Sequence, residues 1–199
     1  MANLITVAGA DRILTMDLHS ASIQGFFDIP SDHLYSSTLF VDRLQRINLH
    51  DPVVVAPDIG SSKRAGAYAT RLNADLAVVD KKRSGPGKIA DMTLIGNVSG
   101  RDVILIDDMV DTAGTLCKAA GILHEAGARK IFAACTHALL SKDAVKKIEE
   151  SKISRIFVTD TIQVPQEKQF KKLEIITSAP IFAEAIRRIH NEESISSLF

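Results

Sequence analysis

The segment that decides the fold of this chain is Val103-Ile-Leu-Ile-Asp-Asp-Met-Val-Asp-Thr-Ala-Gly-Thr115. Its first four residues are continuously apolar and mostly β-branched, which is typical of a strand buried on both faces of a parallel sheet. The carboxylates of Asp107 and Asp108 end that run. Small and hydroxyl residues then lead into a helix that we expect to begin at Thr115. The segment therefore predicts a strand, a polar loop and a helix in succession.

The loop in this segment has the composition of a site for a phosphorylated sugar. Thr112 and Thr115 bracket the predicted helix start, where unpaired N–H groups and the positive end of the helix dipole favour a phosphate. Their hydroxyls can donate hydrogen bonds to the oxygens of the phosphate. Gly114 has no side chain, so the backbone can approach the phosphate closely. Asp107 and Asp108 lie just upstream, where carboxylates accept hydrogen bonds from vicinal sugar hydroxyls. The alternative is an acidic turn that merely caps a helix, and the full string favours the sugar site.

The composition argues against several classes of protein. Apolar residues make up 46% of the 199 residues and charged residues 24%, which indicates a folded core within one large domain, or one domain with part of another. The formal net charge is zero, which argues against nucleic acid as a partner. No apolar segment is long enough to span a bilayer, so we expect no membrane partner and a cytoplasmic location. Cys117 and Cys135 are expected to be buried free thiols.

Apolar strands alternate with helical patterns along most of the chain. Such alternation predicts an α/β fold with a mostly parallel sheet covered by helices. Strands are predicted over residues 12–16, 53–56, 76–79, 103–106, 131–135, 156–159 and 174–177. Helices are predicted over residues 38–49, 63–72, 115–126, 141–150 and 179–190.

One gap in this alternation is basic and rich in glycine. It reads Asp80-Lys-Lys-Arg-Ser-Gly-Pro-Gly-Lys-Ile-Ala-Asp-Met-Thr93, which predicts a mobile loop without regular structure. The loop follows a strand of the same predicted sheet, and ligands of open parallel sheets lie at the carboxyl ends of strands. We therefore expect the loop to close over the ligand. A solvated surface turn is the alternative.

A second polar cluster suggests a divalent cation. Asp17 and His19 follow a predicted strand, and strand alternation would point both side chains to the same side. His19 would bind the cation directly, and Asp17 directly or through water. Asp58 ends another predicted strand and supplies a further oxygen, while Asp28 and Asp32 are nearby acidic candidates. The alternative for Asp17 and His19 is a hydrogen-bonded pair.

Five segments occur in the order of a known family. The segments are Asp17-Leu-His19, Gln24-Gly-Phe-Phe-Asp-Ile-Pro30, Asp80-Lys-Lys-Arg83, Asp107 to Thr115, and Ala183-Glu-Ala-Ile-Arg-Arg188. With them, the chain resembles ribose-phosphate pyrophosphokinase, also called phosphoribosyl pyrophosphate synthetase, over essentially its whole length. The sugar loop alone is shared with the type I phosphoribosyltransferases, whereas the other four segments belong to the synthetase.

The resemblance implies a division of the chain into domains. Residues 34–177 would form a type I phosphoribosyltransferase-like, Rossmann-like catalytic domain. Residues 1–33 would be the remnant of a second, similar domain, and the helix and tail at 178–199 would pack with it. Family members have two similar halves, and this chain begins near the end of the first. The isolated chain is therefore expected to bind ribose 5-phosphate but to turn over poorly.

The resemblance also implies an activity and its residues. The family transfers pyrophosphate from Mg-ATP to the anomeric hydroxyl of ribose 5-phosphate, giving phosphoribosyl pyrophosphate and AMP for nucleotide biosynthesis. Lys81 and Arg83 would be catalytic, although the family commonly has arginine where this chain has Lys82. His19 and Asp58 would help to hold Mg²⁺, and a homohexamer is expected. The substrate-binding residues would be Asp107, Asp108, Asp111, Thr112, Ala113, Gly114 and Thr115.

Two other functions fit part of the sequence. A type I phosphoribosyltransferase would have a similar sugar loop, but it would leave the segments at residues 17–19 and 81–83 unexplained. A non-catalytic regulatory or associated subunit of a full-length synthetase would fit a shortened chain. Its motif residues would be expected to be damaged, and here they are intact.

Overall fold

A computed structural model describes the backbone of residues 1–85 and 88–198 and the side chains of residues 1–80 and 92–198. The chain divides into two compact units, a smaller one made of Met1–Thr38 with Ala179–Phe199 and a larger one made of Leu39–Ser178. The domain boundaries expected from the sequence were 33/34 and 177/178. In the part of the chain that the structure covers, no helix has both the length and the hydropathy needed to cross a membrane.

The described residues form six α-helices, four short 3-10 helices and nine strands. The α-helices are α1 Ala2–Val7, α2 Ser37–Gln45, α3 Ser62–Leu72, α4 Gly114–Glu125, α5 Ala144–Glu150 and α6 Ala179–His190. The strands are β1 Ile13–Met16, β2 Ser31–Leu34, β3 Val53–Ala56, β4 Asp75–Gly85, β5 Lys88–Ile95, β6 Asp102–Val110, β7 Lys130–Ala138, β8 Arg155–Thr159 and β9 Leu173–Ile176.

The larger unit is built on one seven-stranded sheet. Its strand order is β5-β4-β3-β6-β7-β8-β9, and every neighbouring pair is parallel except β4 with β5. Strand β6 lies near the middle, between β3 and β7. The carboxyl ends of β3, β6, β7 and β8 therefore meet at one edge of the sheet, which we call the carboxyl edge. The α/β fold with a mostly parallel sheet is confirmed.

Strand β6 is covered on both faces. Val103 and Leu105 belong to one apolar cluster, and Ile104 and Ile106 belong to the other, with all four fully buried. Burial of each such side chain contributes about 1.5–3 kcal/mol relative to exposure. Because both faces are covered, the strand needs a continuous apolar run, and this is why the sequence predicted it.

The prediction of an irregular loop over residues 80–93 is wrong. Strands β4 and β5 form an antiparallel ribbon there, in which Val79 pairs with Leu94 and Asp80 pairs with Thr93. A two-stranded ribbon does not require a continuous apolar run, so its charged residues gave no strand signal. Pro86 and Gly87, between the two strands, lie outside the described residues.

A glycine fixes the end of the ribbon. Gly96 has a φ of +118°, and a Cβ added there would lie 2.7 Å from the Cβ of Ala77. Only glycine fits this close approach of the chain leaving β5 to strand β4.

The smaller unit contains a short parallel pair, β1 with β2, in which Ile13 pairs with Ser31. The guanidinium of Arg12 donates two hydrogen bonds to the carboxylate of Asp32, at 2.5 and 3.1 Å. Helix α6 buries Ile181 and Ala185. Strand β2 was not predicted, because its sequence Ser-Asp-His-Leu is short and largely polar.

Candidate functional site

Two consecutive carboxylates, those of Asp107 and Asp108, lie at the carboxyl edge near the end of strand β6. The side chain of Asp107 is 21% exposed and that of Asp108 is 4% exposed. An Oδ1 atom of Asp107 accepts the backbone N–H of Asp108 at 2.9 Å, which fixes the first carboxylate relative to the strand. The structure therefore holds both carboxylates in a partly enclosed place on a rigid element.

The surroundings of Asp107 disfavour the ionised form of its carboxyl group. The pKa of Asp107 is raised to about 7, first by burial and then by the hydrogen bond and the charge of the neighbouring Asp108 side chain. The charge of Asp58 also raises this pKa, so Asp58 is close enough to act on the pair. A partner that brings hydrogen-bond donors or positive charge would relieve this repulsion.

Arg64 reaches both carboxylates, and sequence reasoning missed it. Its Nη1 lies 3.4 Å from Oδ1 of Asp108 and 3.9 Å from Oδ1 of Asp107. Arg64 lies in the first turn of helix α3, which follows β3, the strand beside β6. A cation just after a neighbouring strand is a signal that could have found it.

Asp58 follows β3 and organises the turn that leads into α3. Its Oδ1 accepts hydrogen bonds from the backbone N–H and the hydroxyl of Ser61, each at 3.0 Å. The Ser61 hydroxyl lies 3.4 Å from the backbone N–H of Asp58, which completes a capping box. The structure thus places Asp58 at the carboxyl edge, as the sequence predicted.

Residues Asp111 to Ala113 connect β6 to helix α4 at the same edge, and Gly114 and Thr115 are the first residues of the helix. Ala113 is the residue before the helix, and no side-chain hydrogen bond caps the helix start. Its φ is +58°, so the left-handed conformation falls on Ala113 and not on Gly114. A Cβ added at Gly114 would meet only the hydroxyl of Thr112, at 3.9 Å, an ordinary contact. Among the described residues, no contact requires glycine at position 114. The prediction that glycine allows a ligand to approach the backbone there stays a prediction.

The loop is held by the connection after β7. The backbone N–H groups of Leu139 and Leu140 donate to the carbonyl of Val110, at 3.0 and 3.1 Å. The N–H of Ser141 donates to the carbonyl of Asp111 at 2.9 Å. These bonds use carbonyl groups of the loop. They fix its path before the start of helix α4.

The strand alternation predicted for Asp17 and His19 is wrong. Strand β1 ends at Met16, and Asp17 has a φ of +42°, so strand alternation does not extend to His19. Asp17 is buried and accepts hydrogen bonds from the N–H and hydroxyl of Ser36, at 3.1 and 2.5 Å. His19 is exposed.

The remaining predicted residues are placed only in part. His19 belongs to the smaller unit and Asp58 to the larger one. Among the described side chains, no group of three or more His, Cys, Asp or Glu residues could hold a metal ion. Lys81 and Arg83 lie in strand β4, and their side chains fall outside the described ones. Their roles stay predictions.

Neither cysteine is suited to act as a nucleophile. Cys135 is fully buried next to the acidic pair, and burial raises the pKa of its thiol well above the usual value. Burial also raises the pKa of Cys117, although this side chain is only half-buried. Both thiols are free, as predicted, and the expectation of full burial is wrong for Cys117.

Comparison with known proteins gives consistent results. The family model described as "Phosphoribosyl synthetase-associated domain" matches residues 83–199. The ribose-phosphate pyrophosphokinase of Gloeobacter violaceus is 46% identical over 200 residues, which cover 100% of this chain and 60% of that protein. The corresponding protein of Rhodopirellula baltica is 50% identical over 202 residues, covering 100% of this chain and 64% of that protein. The chain thus spans less than two thirds of the length of these relatives.

Solved structures agree with the sequence relatives. The crystal structure of phosphoribosylpyrophosphate synthetase from Mycobacterium smegmatis superposes with a TM-score of 0.88 at 37% identity, covering 96% of this chain and 62% of that one. The APRTase from Giardia lamblia superposes with a TM-score of 0.51 at 17% identity, covering 61% of this chain and 75% of that one. The second likeness concerns the fold alone.

Proposed function

Because the chain belongs to the phosphoribosyl synthetase family, the ribose-phosphate pyrophosphokinases, we propose that its larger unit binds ribose 5-phosphate for pyrophosphoryl transfer from Mg-ATP. The products would be phosphoribosyl pyrophosphate and AMP. The observation that carries this proposal is the carboxyl edge itself. There the pair Asp107 and Asp108 precedes an uncapped helix start on one continuous segment.

Each end of the sugar phosphate matches one part of this segment. The phosphate would accept the N–H groups at the start of α4 and the hydroxyls of Thr112 and Thr115, where the helix dipole is also favourable. The ribose hydroxyls would donate to Asp107 and Asp108. Hydrogen-bond donors at this point relieve the repulsion that raises the pKa of Asp107. The proposed pose therefore suits the charge of both ends of the ligand.

We infer that a magnesium ion would bind together with substrate. Asp58, Asp107 and Asp108 bring three carboxyl groups to one edge, and the charge of Asp58 acts on Asp107. Mg²⁺ usually binds one or two carboxylates, several waters and substrate phosphates, and needs no cage made of protein alone. When bound, the ion would neutralise charge on the phosphates. His19 is the further ligand that the family resemblance implies.

Lys81 and Arg83 would supply positive charge above the site. Strand β3 ends where Ala56 pairs with Val78, whereas β4 continues to Gly85. The ribbon therefore extends roughly 20 Å beyond the carboxyl end of β3. This supports a role of the two cations as a clamp on the transferring phosphates. Removal of such a clamp would slow transfer by about a thousandfold.

No described side chain is needed as a general base in this proposal. In phosphoryl transfer, positioning and electrostatic stabilisation carry most of the rate enhancement. The helix start and the carboxylates would orient ribose 5-phosphate, and the acceptor is its anomeric hydroxyl. We further propose a cytoplasmic homo-oligomer, a hexamer by family resemblance. Since the chain spans 60–64% of the length of the compared relatives, we expect it to bind the sugar but to turn over poorly alone.

Two measurements test the function. Calorimetric titration of the chain with ribose 5-phosphate, with magnesium present, should show saturable uptake. Absence of uptake by a well-folded sample would overturn the proposed site. In a second assay, the low turnover that we expect should carry label from the terminal phosphate of ATP into the sugar product. A phosphoribosyltransferase would instead consume phosphoribosyl pyrophosphate in the presence of a base, and a regulatory subunit would show neither reaction.

A further inference from the structure

We propose that Arg64 is a positioning residue that orients Asp107 and Asp108 to accept the ribose hydroxyls, an inference that rests on the proposed function. The role is assigned from the shared contacts of one guanidinium. Its Nη1 lies within 4.0 Å of a carboxylate oxygen of each aspartate. Arg64 is itself largely enclosed, with 24% of its side chain exposed.

The distances separate this contact from a closed ion pair. Charge-assisted N–H···O bonds are usually about 2.7–2.9 Å long. The separations here are 3.4 and 3.9 Å, so neither carboxylate is gripped in a two-point pair. The guanidinium therefore faces both carboxylates without closing a two-point pair with either. A structural ion pair elsewhere in the same unit, Arg129 with Asp102, closes at 2.5 Å.

The backbone around Arg64 makes this arrangement rigid. The capping box of Asp58 and Ser61 starts the turn that leads into α3. Ala65, the next residue after Arg64, is fully buried against the sheet. Strand β3, which leads into this turn, pairs with β6, which carries the two carboxylates. Arg64 therefore follows the end of β3 and contacts the carboxylates near the end of the neighbouring strand β6.

The orientation requires more than a nearby positive charge. A guanidinium is planar and presents several N–H groups in fixed directions, so it can face two carboxylates at once. A lysine ammonium is a point charge on a flexible stem. Arg64→Lys should therefore restore part of the sugar affinity that a neutral residue loses.

The test compares two sugars on four proteins by calorimetry with magnesium present. The proteins are the full chain and its Arg64→Met, Arg64→Lys and Lys63→Met variants. Lys63 is the matched control, because it is an exposed cation in the same helical turn. The sugars are ribose 5-phosphate and 2-deoxyribose 5-phosphate, which lacks one of the two vicinal hydroxyls.

We expect Arg64→Met to weaken ribose 5-phosphate binding by about tenfold or more, Arg64→Lys by less, and Lys63→Met by less than about twofold. The loss for 2-deoxyribose 5-phosphate should be clearly smaller, because fewer hydroxyls depend on the carboxylates. Equal losses for both sugars, or no loss, would overturn the role of Arg64. Failure of the unaltered chain to bind either sugar would overturn the proposed function and this role together. Thermal melts would show that each variant is folded.

Discussion

The two ends of strand β6 carry acidic residues in opposite situations. At the amino end, Asp102 is fully buried and its carboxylate accepts two hydrogen bonds from Arg129, at 2.8 and 2.5 Å, and one from the N–H of His50. At the carboxyl end, Asp107 and Asp108 share one guanidinium at longer range, and the pKa of Asp107 is raised. Saturated contacts indicate a structural carboxylate, whereas unbalanced charge indicates a place for a ligand.

The largest effect should come from the saturated end. Asp102→Ala would leave the guanidinium of Arg129 and the N–H of His50 without their acceptor. Because the Arg129 side chain is 42% exposed, water compensates part of this, and we expect a loss of about 3 kcal/mol in the free energy of unfolding. Urea denaturation followed by circular dichroism measures it. The control is Asp75→Asn, because Asp75 pairs with Arg101 on the surface with 73% of its side chain exposed. The control should change stability by less than about 1 kcal/mol. Equal effects of the two variants would contradict the comparison.

At the carboxyl end of β6, the free energy of unfolding should depend on pH. The pKa of Asp107 is raised from 3.8 to about 7, so its contribution to stability is present at low pH and is lost as pH rises through about 7. Asp107→Asn does not titrate. Its stability advantage over the unaltered chain should therefore grow by about 2–3 kcal/mol between pH 5 and pH 8, without sugar or metal.

Urea denaturation of both proteins at several pH values gives this difference. Other titrating groups cancel, because they are common to the two proteins. A difference in stability that stays constant from pH 5 to pH 8 would mean that Asp107 has an ordinary pKa. The carboxylates at the carboxyl end of β6 would then be compensated by their surroundings as well as Asp102 is at the amino end.

A smaller effect is expected at the phosphate loop. Thr115→Val keeps the shape of the side chain and removes its hydroxyl, so sugar phosphate binding should weaken by about tenfold through loss of one charge-assisted hydrogen bond. The matched control is Thr70→Val on helix α3, where the hydroxyl donates to the carbonyl of Gly66 on an exposed face. Calorimetry with ribose 5-phosphate should show unchanged affinity for the control. Unchanged affinity for Thr115→Val would remove the hydroxyl from the proposed site.

The smallest effect concerns the backbone before α4. Ala113 has a φ of +58°, a conformation that glycine adopts without strain. Ala113→Gly should change the free energy of unfolding by less than about 1 kcal/mol, because relief of strain is offset by the greater freedom of the unfolded chain. Urea denaturation gives the value. A loss of several kcal/mol would show that the methyl group of Ala113 packs in a way that the backbone angle does not reveal.

The sequence allowed the centre of the sheet to be predicted but not its edge ribbon. Strand β6 has two covered faces, so a continuous apolar run was physically required and could be seen. The ribbon of β4 and β5 has no such requirement, and its charged residues between Asp80 and Thr93 resembled a loop. Strand β2 escaped prediction for the same reason, since it is short and polar.

The candidate site could be predicted along one segment but not across segments. Asp107 to Thr115 is continuous in sequence, and the order of strand, carboxylates and helix start was sufficient. The contact of Arg64 with Asp108 depends on the pairing of β3 with β6, which no local pattern contains. The turn at Asp17, with its positive φ, ends strand alternation before His19, and no local pattern indicated it.

The difference between the two ends of β6 is tested most directly by Asp108→Asn. Asp108 is buried in the acidic pair, and the change keeps its size while it removes one charge. Titration of this variant with ribose 5-phosphate and magnesium should show affinity at least about tenfold weaker than that of the unaltered chain, while its thermal stability is equal or higher. Unchanged affinity, or a loss of stability like that expected for Asp102→Ala, would make Asp108 a structural carboxylate and contradict the account.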